Sequence, residues 1–135
     1  MSGEEVSPPE VVLRRIPPVF IVSDPKAHNG KRASSAAFKD DKDGSSMSVY
    51  VRAIINSLNL ADSDVLTGKG KDWAIAAPGV KLLNEEEQLV KLDPLTNGSP
   101  PHPGDLAHAL VVGNKESKAR RERIAQQSPL IFQKS

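Results

Sequence analysis

Short apolar segments separated by polar and proline-containing stretches run along this chain. Residues 19–22, 48–51 and 108–112 are rich in β-branched side chains and are bounded by turn-forming residues, a pattern typical of buried strands. A further segment of this kind opens at Trp73 and is closed by Pro78 and Gly79. The pattern therefore predicts several short strands.

Helical spacing of apolar residues occurs between and after these strands. Ile54, Ile55 and Leu58 predict one helix, and residues 61–66 allow a second short one. Residues 115–127 form the clearest helical segment, which Pro129 stops. Residues 81–92 fit either a helix or two strands joined by a turn. These elements predict an α+β fold, with a mixed or antiparallel sheet of four to six strands and two or three short helices.

Length and composition favour one domain. The chain has 135 residues, of which 38% are hydrophobic and 26% charged, enough apolar material for one core. Residues 1–10 carry three acids and two prolines, so we expect a disordered tail there and a single domain over residues 11–135.

Charge and cysteine content restrict the location and the partners. The 18 basic and 17 acidic residues nearly cancel, so no overall field directs the protein to nucleic acid or to an anionic membrane. There is no cysteine, no apolar run of about 20 residues and no signal-like N-terminus. We therefore expect a soluble, cytoplasmic protein that does not bind a membrane.

Hydroxyl and basic residues of the segment around residues 28–48 form a candidate ligand site. An arginine beside serine hydroxyls can hold a phosphate or a carboxylate, because its guanidinium presents a planar fork of donors. The alternative is that Arg32 is exposed and that the serines cap turns. The candidate ligand-binding residues are Arg32, Ser34, Ser35, Ser48 and His108, with His28 and Ser46 nearby in sequence.

The segment PHPGDLAHAL brings two histidines and an aspartate close together in sequence. The spacing of His102, Asp105 and His108 is compatible with metal ligation, but the chain supplies no evident fourth ligand. We expect no metal and no other cofactor. His108 is better interpreted as a strand histidine bonded to backbone, or as an acid or base in a pocket.

Basic residues cluster at the start of the last predicted helix. Such a patch is a candidate nucleic-acid surface, although most basic helical faces are only solvated and the chain is poor in aromatic residues for stacking on bases. Elsewhere in the chain, the Thr67 to Lys71 loop lacks the spacing of a phosphate-binding loop. The candidate nucleic-acid-binding residues are Lys115, Lys118, Arg120, Arg121 and Arg123.

Several short motifs resemble those of small stand-alone bacterial proteins of unknown function. The motifs are S-S-x-A-F at residues 34–38, S-V at residues 48–49 and H-A-L-V-x-G at residues 108–113. The resemblance implies no activity. It groups Ser35, Phe38, Ser48 and His108 as the positions to test first.

Three functions are consistent with these observations. The preferred hypothesis is a small binding or protein-interaction domain with a polar pocket near Ser35, Ser48 and His108, whose partner is another protein or a small anionic ligand. The second is an enzyme acting on a nucleotide or another phosphate-bearing substrate, with Arg32 holding the anion and His108 as acid or base. The third is a nucleic-acid accessory protein that binds through residues 115–123.

Overall fold

A six-stranded antiparallel sheet forms the centre of the protein. The computed structural model describes residues 3–27, 30–40, 46–96 and 102–132, and within them a separate two-stranded hairpin lies beside the main sheet. The strands are β1 (Val12–Ile16), β2 (Ile21–Ser23), β3 (Lys31–Ala33), β4 (Met47–Val51), β5 (Ala74–Ala76), β6 (Leu89–Leu92), β7 (His108–Val112) and β8 (Leu130–Phe132).

Within the described ranges, three short α-helices and several 3₁₀ turns connect and cover the strands. The helices are α1 (Arg52–Ser57), α2 (Val80–Glu85) and α3 (Lys118–Gln127), and the 3₁₀ turns are Pro18–Phe20, Ser35–Phe38, Asp62–Leu66 and Asp105–Ala107. The α+β class, the strand number and the helix number are as predicted. No helix in the described ranges is long and apolar enough to cross a lipid bilayer.

The main sheet has the strand order β6-β7-β4-β1-β5-β8, and β2 pairs with β3 in the hairpin. The register of β4 on β7 places Tyr50 opposite His108 and Ser48 opposite Leu110. Because paired residues point to the same face, this register assigns each predicted site residue on these strands to one side of the sheet.

The two faces of the sheet pack against different elements. On the first face, Val49, Met47 and neighbouring strand residues form a core with α2, α3 and the Ser35–Phe38 turn, in which Phe38 is fully buried. On the second face, Leu13 and Tyr50 form a smaller core with α1 and with the Asp62–Leu66 and Asp105–Ala107 turns. The protein therefore has two apolar layers around one sheet.

Local chemistry explains where the helices begin and end. The hydroxyl of Ser117 accepts a bond from the backbone N–H of Arg120 at 3.2 Å, so α3 starts after Ser117 rather than at residue 115. Asn59 ends the α1 turn in a left-handed conformation, with φ at 62°. Within residues 81–92, a helix comes first and a strand second, since Glu87 turns the chain with φ at 63° between α2 and β6.

The predicted buried strand at residues 19–22 differs from the structure. Pro18 opens a 3₁₀ turn, since its fixed φ suits a first helical position, and Val19 is 77% exposed on this turn. The strand β2 begins only at Ile21 and is half-buried. Two consecutive prolines therefore shorten and displace the predicted strand.

The segment before β1 is attached to the sheet, in contrast to the disordered tail predicted from composition. Glu5 forms a bridge with Lys91 of β6, and the Val6 amide donates to the carbonyl oxygen of Val90 at 2.7 Å. The Val6 side chain is buried in the main core. The free backbone groups of edge strand β6 supply the partners that composition does not reveal.

Candidate functional site

Arg32 lies on β3, where it connects the hairpin to α3. Its Nε donates to Asp24 at 3.0 Å and one terminal nitrogen donates to Glu122 at 3.3 Å. The other terminal nitrogen donates to the backbone oxygen of Ala33 at 3.0 Å. A guanidinium has five N–H donors, and three of those of Arg32 are bonded to described residues. Within the described part of the chain, two N–H donors therefore remain for a ligand.

A cleft opens beside Arg32, between the hairpin and the C-terminal end of α3. Its volume is about 320 Å³, at the lower end of the range for small-molecule sites. Lys26 and Ala27 of the turn form one wall, Pro129 and Leu130 form another, and the polar lining residues are Lys26, Lys31, Arg32, Gln126, Gln127 and Ser128.

The charges of this basic cleft favour an anion. Asp24 and Glu122 offset part of the charge because both contact Arg32. Lys26 and Lys31 are exposed, and in the described ranges neither forms an ion pair. Three cations against two carboxylates leave a net charge of one positive at the cleft, which Lys26 and Lys31 line.

Ser34 and Ser35 belong to the turn that precedes Phe38. The Ser34 hydroxyl accepts a bond from the Ala36 amide at 3.0 Å and caps the Ser35–Phe38 turn. This is the turn-capping role that the alternative interpretation assigns to the serines. Ser35 is 7% exposed and lies in the turn packed against α3, on the first face of the sheet.

Ser48 and His108 lie on the second face, with Tyr50. Ser48 and Tyr50 alternate along β4, and Tyr50 pairs with His108. The sheet therefore separates Ser35 from Ser48 and His108, and the predicted three-residue pocket does not form. His108 lies on β7, four strand positions or about 19 Å from β8. The hairpin that carries Arg32 packs against β8, so His108 cannot act with Arg32 on one small substrate.

Aromatic and charged side chains surround Tyr50. The Arg15 guanidinium lies 5.4 Å from the centre of the Tyr50 ring, and His102 stacks on it with ring centres 5.8 Å apart. His108 approaches the ring edge-on, also at 5.8 Å. Burial raises the pKa of the Tyr50 hydroxyl, and the Arg15 charge partly offsets this rise.

The segment containing His102 is folded tightly against Tyr50. The Gly104 amide donates to Nδ1 of His102 at 3.0 Å, and Asp105 accepts a bond from the His102 amide at 2.9 Å. Burial and the nearby Arg15 charge lower the pKa of the His102 imidazole, although Asp105 acts in the opposite direction. His102 is therefore held mainly neutral at pH 7.

His108 is a strand histidine bonded to backbone, one of the two roles predicted for it. Its Nδ1 lies 3.0 Å from the backbone oxygen of Asp93 and 3.2 Å from a side-chain oxygen of the same residue. A carbonyl only accepts, so Nδ1 carries a proton. Among the described residues, no three histidine or acidic side chains form a potential metal-binding group.

Four of the five basic candidate residues around α3 contact other groups of this chain. Lys115 is buried, where its ammonium donates to Asp40 and to two backbone carbonyls, and Arg121 donates to two more. Arg120 pairs with Glu87, and Arg123 makes a two-pronged contact with Glu86. Of the five candidate nucleic-acid-binding residues, only Lys118 and Arg123 are classed as exposed.

Sequence reasoning missed most of the basic cleft. A signal was present in the sequence, because Lys26 follows the turn-forming pair Asp24-Pro25, and Lys31 and Arg32 follow the turn-forming pair Asn29-Gly30. Gln126 and Gln127 gave no signal, since only the packing of α3 brings them to the hairpin. His28 lies outside the described residues.

The chain was compared with protein-family models, curated proteins and solved structures, and none of these comparisons gives a significant match. The candidate function therefore depends on the geometry of the chain itself.

Proposed function

We propose that this protein is a small binding domain for an anionic ligand, held in the basic cleft between the hairpin and α3. The observation that carries the proposal is the position of Lys26 and Lys31, two exposed lysines on a cleft of about 320 Å³ that form no ion pair with any described residue. Arg32 supports them, since Asp24 and Glu122 fix its guanidinium while two of its N–H groups stay available.

The polar groups opposite the lysines suit a ligand with further hydrogen-bonding atoms. Gln126, Gln127 and Ser128 line the cleft at the end of α3. The amides of Gln126 and Gln127 both donate and accept, although Gln127 already donates one N–H to the Arg123 carbonyl oxygen at 3.3 Å. The Ser128 hydroxyl donates to the Ile124 carbonyl oxygen at 2.6 Å, so toward a ligand it can only accept. The cleft therefore matches a small phosphate or carboxylate compound better than a long polymer.

Inorganic phosphate, titrated into labelled protein at constant ionic strength, tests this proposal by NMR. We expect amide shifts confined to residues 26, 27, 31, 32, 126–128 and 130. A K26Q/K31Q variant should bind phosphate at least about tenfold more weakly, because two cationic contacts are lost. The matched control K81Q/K91Q changes two exposed lysines on α2 and β6 and should bind like the unchanged protein.

Two results would overturn the proposal. One is the absence of saturable shifts around the cleft. The other is equal binding by the K26Q/K31Q variant and its control, which would place the anion elsewhere.

The other hypotheses have less geometric support. An enzyme that uses Arg32 and His108 together is disfavoured by the four strand positions between His108 and the edge strand β8, against which the hairpin packs. A nucleic-acid surface on α3 is disfavoured by the internal pairing of Lys115, Arg120 and Arg121. A cytoplasmic location remains part of the proposal, from the cysteine-free composition.

A further inference from the structure

We infer that the ligand of the basic cleft is an amphipathic anion, with an apolar tail that lies in a second cavity next to the cleft. This inference rests on the proposed function and specifies the ligand class. Three observations support it. Lys31 lines both cavities, Leu130 and Phe132 point to the same face of β8, and the carboxylate of Asp72 lies at the end opposite Lys26 and Arg32.

The second cavity has a volume of about 380 Å³ and is mainly apolar in its lining. Pro18, Ile21 and Val22 line it from the hairpin side, and Phe132 lines it from β8. Phe132 is 39% exposed, a large fraction for a phenylalanine. An apolar tail would cover this surface.

The two cavities lie next to each other beside β8. Lys31 lines both of them. Leu130 lines the basic cleft and Phe132 lines the apolar cavity, and residues two apart on a strand point to the same face, about 7 Å apart. A ligand of modest length therefore reaches both cavities without crossing the sheet.

Charge orients the ligand in this groove. Lys26 and Arg32 lie at the cleft end, Lys31 lies where the two cavities meet, and Asp72 lies at the apolar end. The Asp72 carboxylate repels an anionic head group, so the head is held among the basic side chains and the tail extends toward Phe132. A molecule with an anionic group at each end would lose this complementarity, because Asp72 would repel the second anion.

A series of n-alkyl phosphates, from methyl to hexyl, tests the inference by calorimetry or NMR at constant ionic strength. We expect the dissociation constant to fall about threefold for each added methylene until the tail outgrows the groove, because each buried methylene is removed from water. Amide shifts should spread from residues 26–32 to residues 21–23 and 132 as the tail lengthens.

Matched variants locate the tail. V22T keeps the side-chain shape but adds a hydroxyl in the apolar cavity, and should reduce hexyl phosphate binding several-fold while methyl phosphate binding stays unchanged. V112T makes the same change at an exposed position on β7 and should alter neither. F132S is a second variant at the apolar end and should also remove the gain from the longer tail.

The results separate the two proposals. If methyl and hexyl phosphate bind equally well, or if V22T and F132S leave the chain-length gain intact, the amphipathic ligand is excluded and anion binding stands. If no alkyl phosphate binds at the cleft, both proposals are excluded.

Discussion

The ring of Tyr50 is closely packed by its neighbours, and Gly104 approaches it with little space to spare. A Cβ atom at Gly104 would lie 3.1 Å from two atoms of the Tyr50 ring and 3.3 Å from Nδ1 of His102. The ring is held on other sides by Arg15 and His108, so it has little freedom to move aside. Glycine is therefore required here for close approach rather than for an unusual φ.

Replacement of Gly104 by alanine should destabilise the protein. We expect G104A to lower the free energy of unfolding by about 1–3 kcal/mol, the usual cost of overpacking a filled core. Urea denaturation measures the change. In the control G79A, nothing lies within 4 Å of the new Cβ, and we expect a loss below about 1 kcal/mol, from the weaker helix cap alone. Equal losses in both variants would contradict the packing argument.

The neutral state of His102 should make stability depend on pH. Its pKa is lowered in the folded protein, mainly by burial and then by Arg15, from an ordinary value of about 6.5. The unfolded chain therefore binds a proton more readily, so the contribution of His102 is fully present above pH 6.5 and is lost as the pH falls below it. Lys69 acts in the same direction as Arg15, and the Thr67 carbonyl in the opposite one.

The variant H102N keeps an acceptor for the Gly104 amide but does not titrate. We expect the unfolding free energy of the unchanged protein to fall more steeply than that of H102N between pH 7.5 and 5.5, because only the former gains a proton on unfolding at residue 102. Parallel pH profiles for the two proteins would contradict this prediction.

At the scale of elements, basic residues before and within α3 attach this helix to the rest of the fold. Lys115 is 5% exposed and contacts Asp40 as well as the Val111 and Gly113 carbonyls at the end of β7. Arg123 contacts Glu86 beside α2, and this contact lowers the pKa of the Glu86 carboxyl. The basic residues that predict a nucleic-acid surface from the sequence thus mostly contact other elements of the same chain in the folded protein.

Removal of the Lys115 charge should destabilise the folded protein. We expect K115M to reduce the free energy of unfolding by about 2–4 kcal/mol, since Asp40 and the carbonyls lose a charged donor in a partly dry environment. K118M changes an exposed lysine three residues later and should shift stability by less than about 0.5 kcal/mol. Thermal and urea denaturation compare the two. Similar effects in both variants would mean that Lys115 has no structural role.

At the scale of the whole molecule, a further segment packs against each edge strand of the main sheet. Residues 3–6 pair with β6 at one end, and the hairpin of β2 and β3 packs against β8 at the other. The first arrangement supplies hydrogen-bond partners to the backbone of edge strand β6. The second leaves a groove, and this asymmetry places the candidate site at the β8 end.

The attachment of the N-terminal segment should depend on Val6. We expect V6S to lower the unfolding free energy by about 1–2 kcal/mol, because the buried side chain loses apolar area. Hydrogen exchange at the Leu92 amide, which donates to Glu4 at 2.7 Å, should accelerate at the same time. E5S changes an exposed side chain and should affect neither quantity. Unchanged exchange in V6S would show that the segment is held in another way.

The sequence by itself determined the local elements of this protein. The strand at residues 108–112 and the helix that Pro129 stops follow from β-branched runs, helical spacing and proline, because these signals act within one element. The strand β4 was predicted to within one residue. The α+β class follows from the number and length of such elements.

Only the tertiary structure decided which side chains meet. Ser35 and Ser48 are close in sequence, but a strand residue faces one side of the sheet and the Ser35–Phe38 turn packs on the other. Conversely, Lys31 and Gln127 are distant in sequence and share a cleft, because α3 packs beside the hairpin. Periodicity fixes a side chain's direction within its own element, whereas the neighbours it meets depend on strand order and packing, which no local pattern contains.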